Sequence, residues 1–485
     1  MNYSIVKRTI GALLIFESIF FLVPLITAII YWETAFFAFL VSICICVGLG
    51  GLCLLGKNKN PAIYAKEGFV IVALSWIVLS IFGALPFYFS GEIPSFIDAL
   101  FETVSGFTTT GATILPNGEA IESLPKSLLM WRSFTHWIGG MGVLVFIMAF
   151  LPLSGAKNMH MMKAESPGPT VGKLVPKVKE TAKILYIIYG LMTLAQLILM
   201  LIGGMPLFDA VTTAFATAGT GGFSINADSI ARYSSYIQIV VTVFMLLFSI
   251  NFNAYYLIGK GRWKEILTTE IKAFLVIVVS AIALITANLL LTNVADYGYS
   301  FGEALKHTAF TVASIISTTG FSTENFDLWP SFSKTILVLL MFIGACAGST
   351  GGGIKVSRAV MLSKGASHEV GRILHPNKVK KITMDKRVVE HEVVRSLNAY
   401  IIAYILICIV SVLLISLEGY DMTTNFTSVA ATLNNVGPGL SLVGPTGSFA
   451  FFSDFSKIVY IFDMLAGRLE IFPMLVLFAP ATWRK

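Results

Sequence analysis

The sequence predicts an all-α polytopic membrane protein. Four pseudo-symmetric repeats, each a helix, a re-entrant loop and a second helix (M1–P-loop–M2), surround a central pore, and a two-helix hairpin precedes them. Three observations predict this. Of 485 residues, 56% are hydrophobic and 13% are charged, about half the ~25% charge of soluble domains. Apolar runs near twenty residues recur from end to end. A Thr/Gly turn recurs four times at matched offsets. The composition excludes a disordered or collagen-like chain and argues against a soluble globular fold.

A spanning helix needs about 20 mainly apolar residues. Ten runs qualify: 11–31, 35–55, 69–89, 128–153, 184–202, 236–258, 273–291, 335–362, 397–417 and 458–482. Weaker apolar stretches follow the third, fifth, seventh and ninth. Each has about a dozen residues, enough for a re-entrant segment but not a crossing. The chain divides into a hairpin at 1–60 and pore repeats at 61–165, 166–265, 266–375 and 376–485.

Ten crossings put both termini on one side, and charge decides which. Loops on the N-terminal side hold 27 of the 34 Lys and Arg, including Lys57, Lys59, Lys157, Lys163, Lys173, Lys177 and a dense run from Lys355 to Arg395. The opposite loops hold five: Lys126, Arg232, Lys306, Lys334 and Lys457. The bias predicts cytoplasmic termini. The outer loops carry fifteen acids, among them Asp98, Glu102, Asp209, Asp228, Asp296, Glu324, Asp327 and Asp421. They form either an acidic vestibule that concentrates cations or a soluble, base-poor surface. The net charge of +7 averages over this asymmetry and does not signal nucleic-acid binding. Five cysteines lie in or beside apolar runs without metal-ligand spacing, which suits packing. The first apolar run has no cleavage pattern and reads as a transmembrane helix.

The turns read Thr108-Thr109-Thr110-Gly111, Gly219-Thr220-Gly221-Gly222, Ser317-Thr318-Thr319-Gly320 and Asn434-Asn435-Val436-Gly437. Their last glycines are separated by 111, 98 and 117 residues. Gaps of that size hold two spans and a re-entrant hairpin. All four turns fall on the outer side by the charge count. Four copies can close a ring around one axis. A cation entering hydrocarbon loses water, and oxygen ligands must replace it. Backbone carbonyls can do so if the chain turns them inward, which glycine permits. Threonine and serine hydroxyls can hold the turn or add ligands. Short helices entering from outside would point their C-terminal ends, with about half a negative charge each, at the ion. The expected ion-binding residues are Thr109, Thr110, Gly111, Thr220, Gly221, Gly222, Thr318, Thr319, Gly320, Asn435, Val436 and Gly437.

The eighth span contains Gly344-Ala345-Cys346-Ala347-Gly348-Ser349-Thr350-Gly351-Gly352-Gly353-Ile354-Lys355. Each of three adjacent glycines costs a helix about 1 kcal/mol relative to alanine. The stretch therefore predicts an intramembrane loop on the cytoplasmic side of the turns. Its glycine spacing resembles a phosphate-binding loop, but Ile354 stands where the lysine belongs, which excludes that reading. Gly348, Ser349, Thr350, Gly351, Gly352, Gly353 and Lys355 are candidate gating residues.

Charges within spans face an interior or a wet cavity. Arg468 is expected either to pair with Asp463 or Glu470, or to sit near the pore below the turns. There it would weaken cation binding enough for release. Arg132, near an outer span end, is expected to snorkel. Glu17 is expected to be paired or interfacial, and His136 to be a packing residue.

The turns and the Gly-rich segment carry a resemblance over nearly the whole chain. The sequence resembles the Trk/Ktr/HKT superfamily of potassium transporters, and within it the bacterial TrkH branch, which has the extra hairpin. The resemblance implies one conduction path between four M1–P–M2 repeats. It implies potassium selectivity, because glycine occupies the key position in all four turns; a serine in the first repeat goes with sodium transport in plant relatives. It makes 344–353 the gating loop and gives Arg468 its counterpart in the last M2 helix. It further implies a bacterial inner-membrane location, a homodimer and a cytosolic nucleotide-binding regulatory ring of the TrkA type. Asn434-Asn435-Val436 departs most from the family pattern.

The expected function is potassium-selective, channel-like uptake with no bound cofactor. The alternative is a secondary transporter coupling potassium to H⁺ or Na⁺. The repeats have parallel rather than inverted topology, and acids within spans are few. No catalytic constellation stands out, so no enzyme is expected.

Overall fold

The computed structural model describes residues 1–55, 65–116, 118–142, 178–292, 298–375, 381–385 and 387–483. The predicted domain boundaries at 60/61 and 165/166 lie outside the described residues, as do Lys57, Lys59, Lys157, Lys163, Lys173, Lys177 and Asp296. The boundary at 265/266 falls between two helices.

The N-terminal hairpin consists of α1 (Tyr3–Phe20), α2 (Leu22–Ile30) and α3 (Phe36–Leu54). α1 and α2 together form one 28-residue apolar stretch, so this span starts earlier than the predicted 11. Gly11 and Gly50 bring α1 and α3 into backbone contact. Glu17 is fully buried and not interfacial, and among the described residues both carboxylate oxygens, beside Gly83, lack a hydrogen-bond partner, so the expected pairing is not seen there.

The first repeat contains α4 (Ala65–Gly83), α5 (Leu85–Ser90), the short helix α6 (Phe96–Phe107), α7 (Gly118–Glu122) and α8 (Lys126–Gly140). The second contains α9 (Val178–Ile202), α10 (Leu207–Gly219), α11 (Ser235–Phe248) and α12 (Phe252–Gly259). The third contains α13 (Thr269–Leu291), α14 (Phe301–Ile316), α15 (Ser331–Ile343) and α16 (Val356–Leu374). The fourth contains α17 (His391–Ile415), α18 (Met422–Leu433), α19 (Asp454–Arg468), α20 (Phe472–Phe478) and α21 (Pro480–Trp483). A two-residue strand pair, β1 (Thr383–Met384) and β2 (Arg387–Val388), interrupts the all-α fold.

The weaker apolar stretches are the four short helices α6, α10, α14 and α18, of 12, 13, 16 and 12 residues. At 1.5 Å per residue they reach roughly 18–24 Å, a partial crossing. Polar residues start three of them. Ser95 accepts from Asp98 N, Asp421 accepts from Thr424 N, and Ser300 with Glu303 forms a capping box. Their distal turns are buried and rich in Thr, Ser, Ala and Gly. Many of those hydroxyls bond a carbonyl one turn back, as Thr103 to Ala99 O at 2.7 Å and Thr217 to Thr213 O at 2.7 Å. A short polar helix can thus sit at membrane depth without orphaned hydroxyls at these positions.

The M2 helices differ from the predicted spans. Six helices are long and apolar enough to cross a membrane among the described residues, or seven if α11 and α12 count as one. The predicted 128–153 is helical to Gly140, and its remainder from 143 lies outside the described residues. The predicted 236–258 bends by 92° between α11 and α12. The predicted 458–482 breaks after Arg468, with Glu470 and Ile471 at φ 55° and 69°. Thus α8, α11, α15 and α19 all stop after 13 to 15 residues, where the sequence predicted one break. The causes are local. Ser249 bonds back to Met245 O at 2.7 Å, and Asn251 caps α12 through Asn253 N at 2.9 Å. Pro473 cannot continue a helix through Leu469. Apolar neighbours mask both signals in a hydropathy reading.

The capping box gives a stability prediction. Ser300→Ala should lower the stability of the detergent-solubilised protein by about 1 kcal/mol, read as an earlier thermal unfolding midpoint, without changing ion flux.

Candidate functional site

The four turns after the short helices are conformational copies. The residue two before each glycine is left-handed: Thr109, Thr220, Thr318 and Asn435 have φ of 54°, 56°, 60° and 55°. Gly111, Gly222, Gly320 and Gly437 follow at 82°, 76°, 83° and 97°. Each turn makes the same two bonds. Thr109 N donates to Gly106 O (3.1 Å) and Thr110 N to Ser105 O (2.9 Å). The equivalents are Thr220 N to Thr217 O and Gly221 N to Ala216 O, Thr318 N to Ile315 O and Thr319 N to Ser314 O, and Asn435 N to Thr432 O and Val436 N to Ala431 O. This is a Schellman C-cap, which usually places glycine in the left-handed position. Here threonine or asparagine holds it, a strain of order 1–3 kcal/mol each that the surroundings must maintain.

The turns close a ring. A Cβ added to Gly111 would lie 2.0 Å from Gly221 O, and one on Gly222 would lie 1.8 Å from Thr319 O. One on Gly320 would lie 2.3 Å from Val436 O, and one on Gly437 would lie 2.6 Å from Thr110 O. Each repeat's glycine therefore meets the carbonyl that precedes the next repeat's glycine, from the first to the fourth and back. No side chain fits at any of the four positions.

The side chains of the turn support it from behind. Thr108 and Thr110 hydroxyls bond at 2.8 Å, and Ser317 and Thr319 at 2.6 Å. Thr220 Oγ1 donates to Gly219 O at 2.6 Å. In the divergent fourth turn, amides replace hydroxyls. Asn435 Nδ2 donates to Thr110 Oγ1 (3.0 Å) and Met464 O (2.9 Å), tying the fourth turn to the first. Asn434 Oδ1 accepts from Tyr404 (2.9 Å). His136 packs under the second turn and accepts from Phe223 N through Nε2 at 3.3 Å.

The segment from Gly344 to Lys355 is non-helical, as expected, with Gly344, Gly348, Gly353 and Lys355 at positive φ. It lies against the turns: added Cβ atoms on Gly351 and Gly352 would meet Ser317 O at 2.7 Å and Asn434 O at 2.3 Å. Gly352 N donates to Thr318 Oγ1 (2.6 Å) and Gly353 N to Asn434 O (3.1 Å). Cys346 N donates to Ser249 O and Thr350 N to Phe248 O, where α11 breaks. Lys355 is buried, and its Nζ donates to Gly351 O within the loop.

Arg468 ends α19 and joins the loop to the first repeat. It donates to Thr350 O (2.8 Å), Gly139 O (2.6 Å) and Gly140 O (3.0 Å). Of the two acids expected as partners, Glu470 binds Arg358, and Asp463 accepts from Ser411 at 2.7 Å. The loop thus bonds to repeats two, three and four and reaches the first through Arg468. A cavity of about 1150 Å³ lies beside it, lined by Gly348, Gly351, Gly352, Lys355, Glu270 and Arg468 among others.

Sequence reasoning missed Glu270. This buried carboxylate, in the first turn of α13, accepts from Ala347 N (2.6 Å) and Ser357 N (3.1 Å), one near each end of the loop. A lone acid at the start of a span reads as an ordinary helix cap, so the sequence carries no signal of this. Arg132 does not snorkel: it is 2% exposed and paired with Glu102 at 2.7 Å. Glu102 is therefore no part of an outer acidic surface.

Other outer acids are also occupied. Lys457 bonds Asp98 at 2.5 Å, Arg232 bonds Asp228 and Glu122, and Tyr233 donates to Asp209 at 2.8 Å. The Ala227 amide and then Arg232 hold the Glu122 carboxyl below its usual range. The Thr424 hydroxyl does the same for Asp421. Glu122 and Asp421 are therefore held ionised at neutral pH, one as a pair partner and the other as a helix cap.

Short re-entrant helices, a ring of backbone turns and an intramembrane loop define a multi-pass transport protein for ions. A sequence model of the TrkH family, described as a cation transport protein, matches residues 34–485. The potassium uptake protein TrkH of the Trk system of Salmonella typhimurium is 37% identical, and TrkG of Escherichia coli is 34% identical, each over 100% of both chains. The crystal structure of the potassium transporter TrkH from Vibrio parahaemolyticus superposes with a TM-score of 0.88 at 34% identity, over 100% of both chains. The chain belongs to the TrkH family, whose members are transport proteins and not enzymes.

The Glu270 clamp gives a prediction. Removing Glu270 leaves the Ala347 amide of the loop and the Ser357 amide at the start of α16 without an acceptor, and each unmade buried bond costs about 1–3 kcal/mol. Glu270→Ala should loosen the loop, read as faster amide exchange over 344–357, while Glu270→Gln keeps one acceptor and falls between.

Proposed function

We propose that this protein carries potassium inward across the bacterial cytoplasmic membrane as a channel-like, passive pathway, with both termini in the cytoplasm. The closed ring of four glycine–carbonyl contacts carries this reading. Backbone oxygens brought together from four repeats can replace the water that an alkali cation sheds. The Schellman bonds fix their spacing, and a larger ion suits oxygens that cannot close inward. The relatives named above are potassium uptake proteins, which agrees. The filter comprises Thr109–Gly111, Thr220–Gly222, Thr318–Gly320 and Asn435–Gly437.

The loop at 344–353 acts as the gate in this reading. It sits against the turns with partners from repeats two, three and four and reaches the first through Arg468, which supports an obstructed path that clears when those bonds are exchanged. Arg468 holds the closed position and places a positive charge below the filter, which aids ion release. The inside-negative potential drives entry by about 2.3 kcal/mol per charge per 100 mV. A second copy of the chain and a cytosolic nucleotide-binding ring of the TrkA type complete the system. The bases Lys364, Arg372, Lys381 and Arg387 lie on the side that would face the ring.

Vesicle flux tests the reading. Wild-type protein should pass potassium over sodium, driven by potential alone with no proton gradient. Gly→Ser at 111, 222, 320 or 437 should lower potassium flux or the potassium-to-sodium ratio, most severely at 222. Equal passage of both ions, or dependence on a proton gradient, would refute it. Arg468→Ala should raise flux severalfold if it latches the loop; unchanged flux removes that role.

A further inference from the structure

The ring has four seams, and the chain fastens them differently. Between repeats two and three, Ile230 N donates to Ser322 O (3.1 Å) and Ser322 N to Ser229 Oγ (3.2 Å). Between three and four, Ser441 N donates to Asp327 Oδ1 (3.1 Å). Between four and one, Phe449 N donates to Thr113 O (2.8 Å). The seam between one and two has the exposed Arg232–Glu122 link and also a buried ion pair of the first repeat whose arginine reaches across to the second.

Glu102 lies on α6, nine residues before Gly111. Its Oε1 accepts from Arg132 Nε (2.7 Å), its Oε2 accepts from Ile114 N (3.0 Å), and the Thr113 hydroxyl lies 3.0 Å from both oxygens. Arg132 then crosses the seam. Its Nη1 donates to Ser224 O (3.1 Å), and its guanidinium lies 4.0 Å from the centre of the Phe223 ring. Thr113 and Ile114 follow Gly111 by two and three residues; Phe223 and Ser224 follow Gly222 by one and two. One neutral charge pair therefore grips the outgoing strands of two adjacent turns. The matching positions in the other repeats are Thr213, Thr311 and Ser428, so the device occurs once.

We propose that Glu102 and Arg132 are a positioning pair that sets the cation selectivity of the ring by fixing the first two turns relative to each other. The inference rests on the filter reading above. A smaller ion is well coordinated only if the ring oxygens move inward. The first seam is where Gly111 meets Gly221 O, and a buried guanidinium that bonds Glu102 through Nε and Ser224 O through Nη1, next to both outgoing strands, resists that movement. The pair need not add net stability, because burying two charges offsets much of their attraction. Its effect is on geometry.

Potassium and sodium fluxes would be measured in vesicles for Glu102→Gln, Arg132→Met, the double variant and Arg132→Lys. Each single change should lower the potassium-to-sodium ratio about tenfold, equivalent to ~1.4 kcal/mol of discrimination. The double variant should fall no further than the worse single, because one interaction is lost in all three. Arg132→Lys keeps the charge without the fork and should fall between. Arg232→Ala, which removes an exposed link between the same repeats through Glu122, should leave the ratio unchanged. Folded single variants with a wild-type ratio would overturn the proposal, as would additive losses in the double. If the neutral variants do not fold, Arg132→Lys decides: a folded protein with an unchanged ratio refutes the pair's role. The Gly→Ser variants separate the two readings. If they leave both flux and ratio intact, the filter reading fails; if they lower either and the pair variants leave the ratio unchanged, only this inference fails.

Discussion

The structure depends on one constraint: four glycines must each touch a carbonyl oxygen of the next repeat, with no room for a carbon between. That contact sets the distance between repeats at the ring. It also accounts for three of the four left-handed residues, Thr220, Thr318 and Asn435; the buried Thr109 hydroxyl makes no hydrogen bond among the described residues. A Schellman cap directs the chain sharply off the helix end and satisfies two of its last carbonyls. Glycine would adopt that conformation without strain, but it supplies no side chain. Thr220, Thr318 and Asn435 each make a bond through the strained residue, to Gly219 O, from Gly352 N and to Thr110 Oγ1. The strain of the backbone is thus offset by links that a glycine could not make, two of which leave the turn altogether.

The same economy governs the M2 helices. All four end at a similar length, and the freed C-terminal carbonyls of α8 and α11 become acceptors for other repeats. Phe248 O and Ser249 O receive loop amides, and Gly139 O and Gly140 O receive Arg468. The loop also bonds within itself, as Ala345 N to Gly352 O and Ser349 N to Cys346 O. Its polar groups are satisfied by groups on every side, which lets non-helical backbone lie at membrane depth. In the proposed gating, an arrangement of this kind would move as a unit. Releasing one bond strands a buried amide or carbonyl, so partial displacement is costly, and an exchange of the whole set is the cheaper route between two states.

The spans of the M1 helices, the short re-entrant helices, the four turns and the Gly-rich break were all legible in the sequence, because each depends on a local property: hydropathy, length or the conformational freedom of glycine. The breaks in α11 and α19 were not. Asn251 and Pro473 mark them, yet each sits in a run apolar enough to read as continuous. The fates of the charges were the least legible. Arg132 looked like a surface residue because it stands six residues into a helix, but its depth is set by Glu102 on another element, thirty residues away in sequence. Glu270 and Glu17 are similar cases. What a buried charge meets is a property of the assembled bundle, and no periodicity within one helix encodes it.

The divergent fourth turn shows how much of the ring is conformation and how little is residue type. Asn434-Asn435-Val436 shares no side chain with Thr108-Thr109-Thr110, yet its φ values and its two cap bonds match those of the other turns. Asparagine tolerates the left-handed position better than threonine does. Its amide also reaches farther than a hydroxyl, and Asn435 uses that reach to bond Thr110 and Met464 together. The fourth turn thus closes the ring onto the first with a side-chain bond at the seam where the first and last repeats, separated by most of the chain, must find each other. Pseudo-symmetry here is a symmetry of backbone oxygens, and the side chains are free to differ wherever they lie behind that backbone.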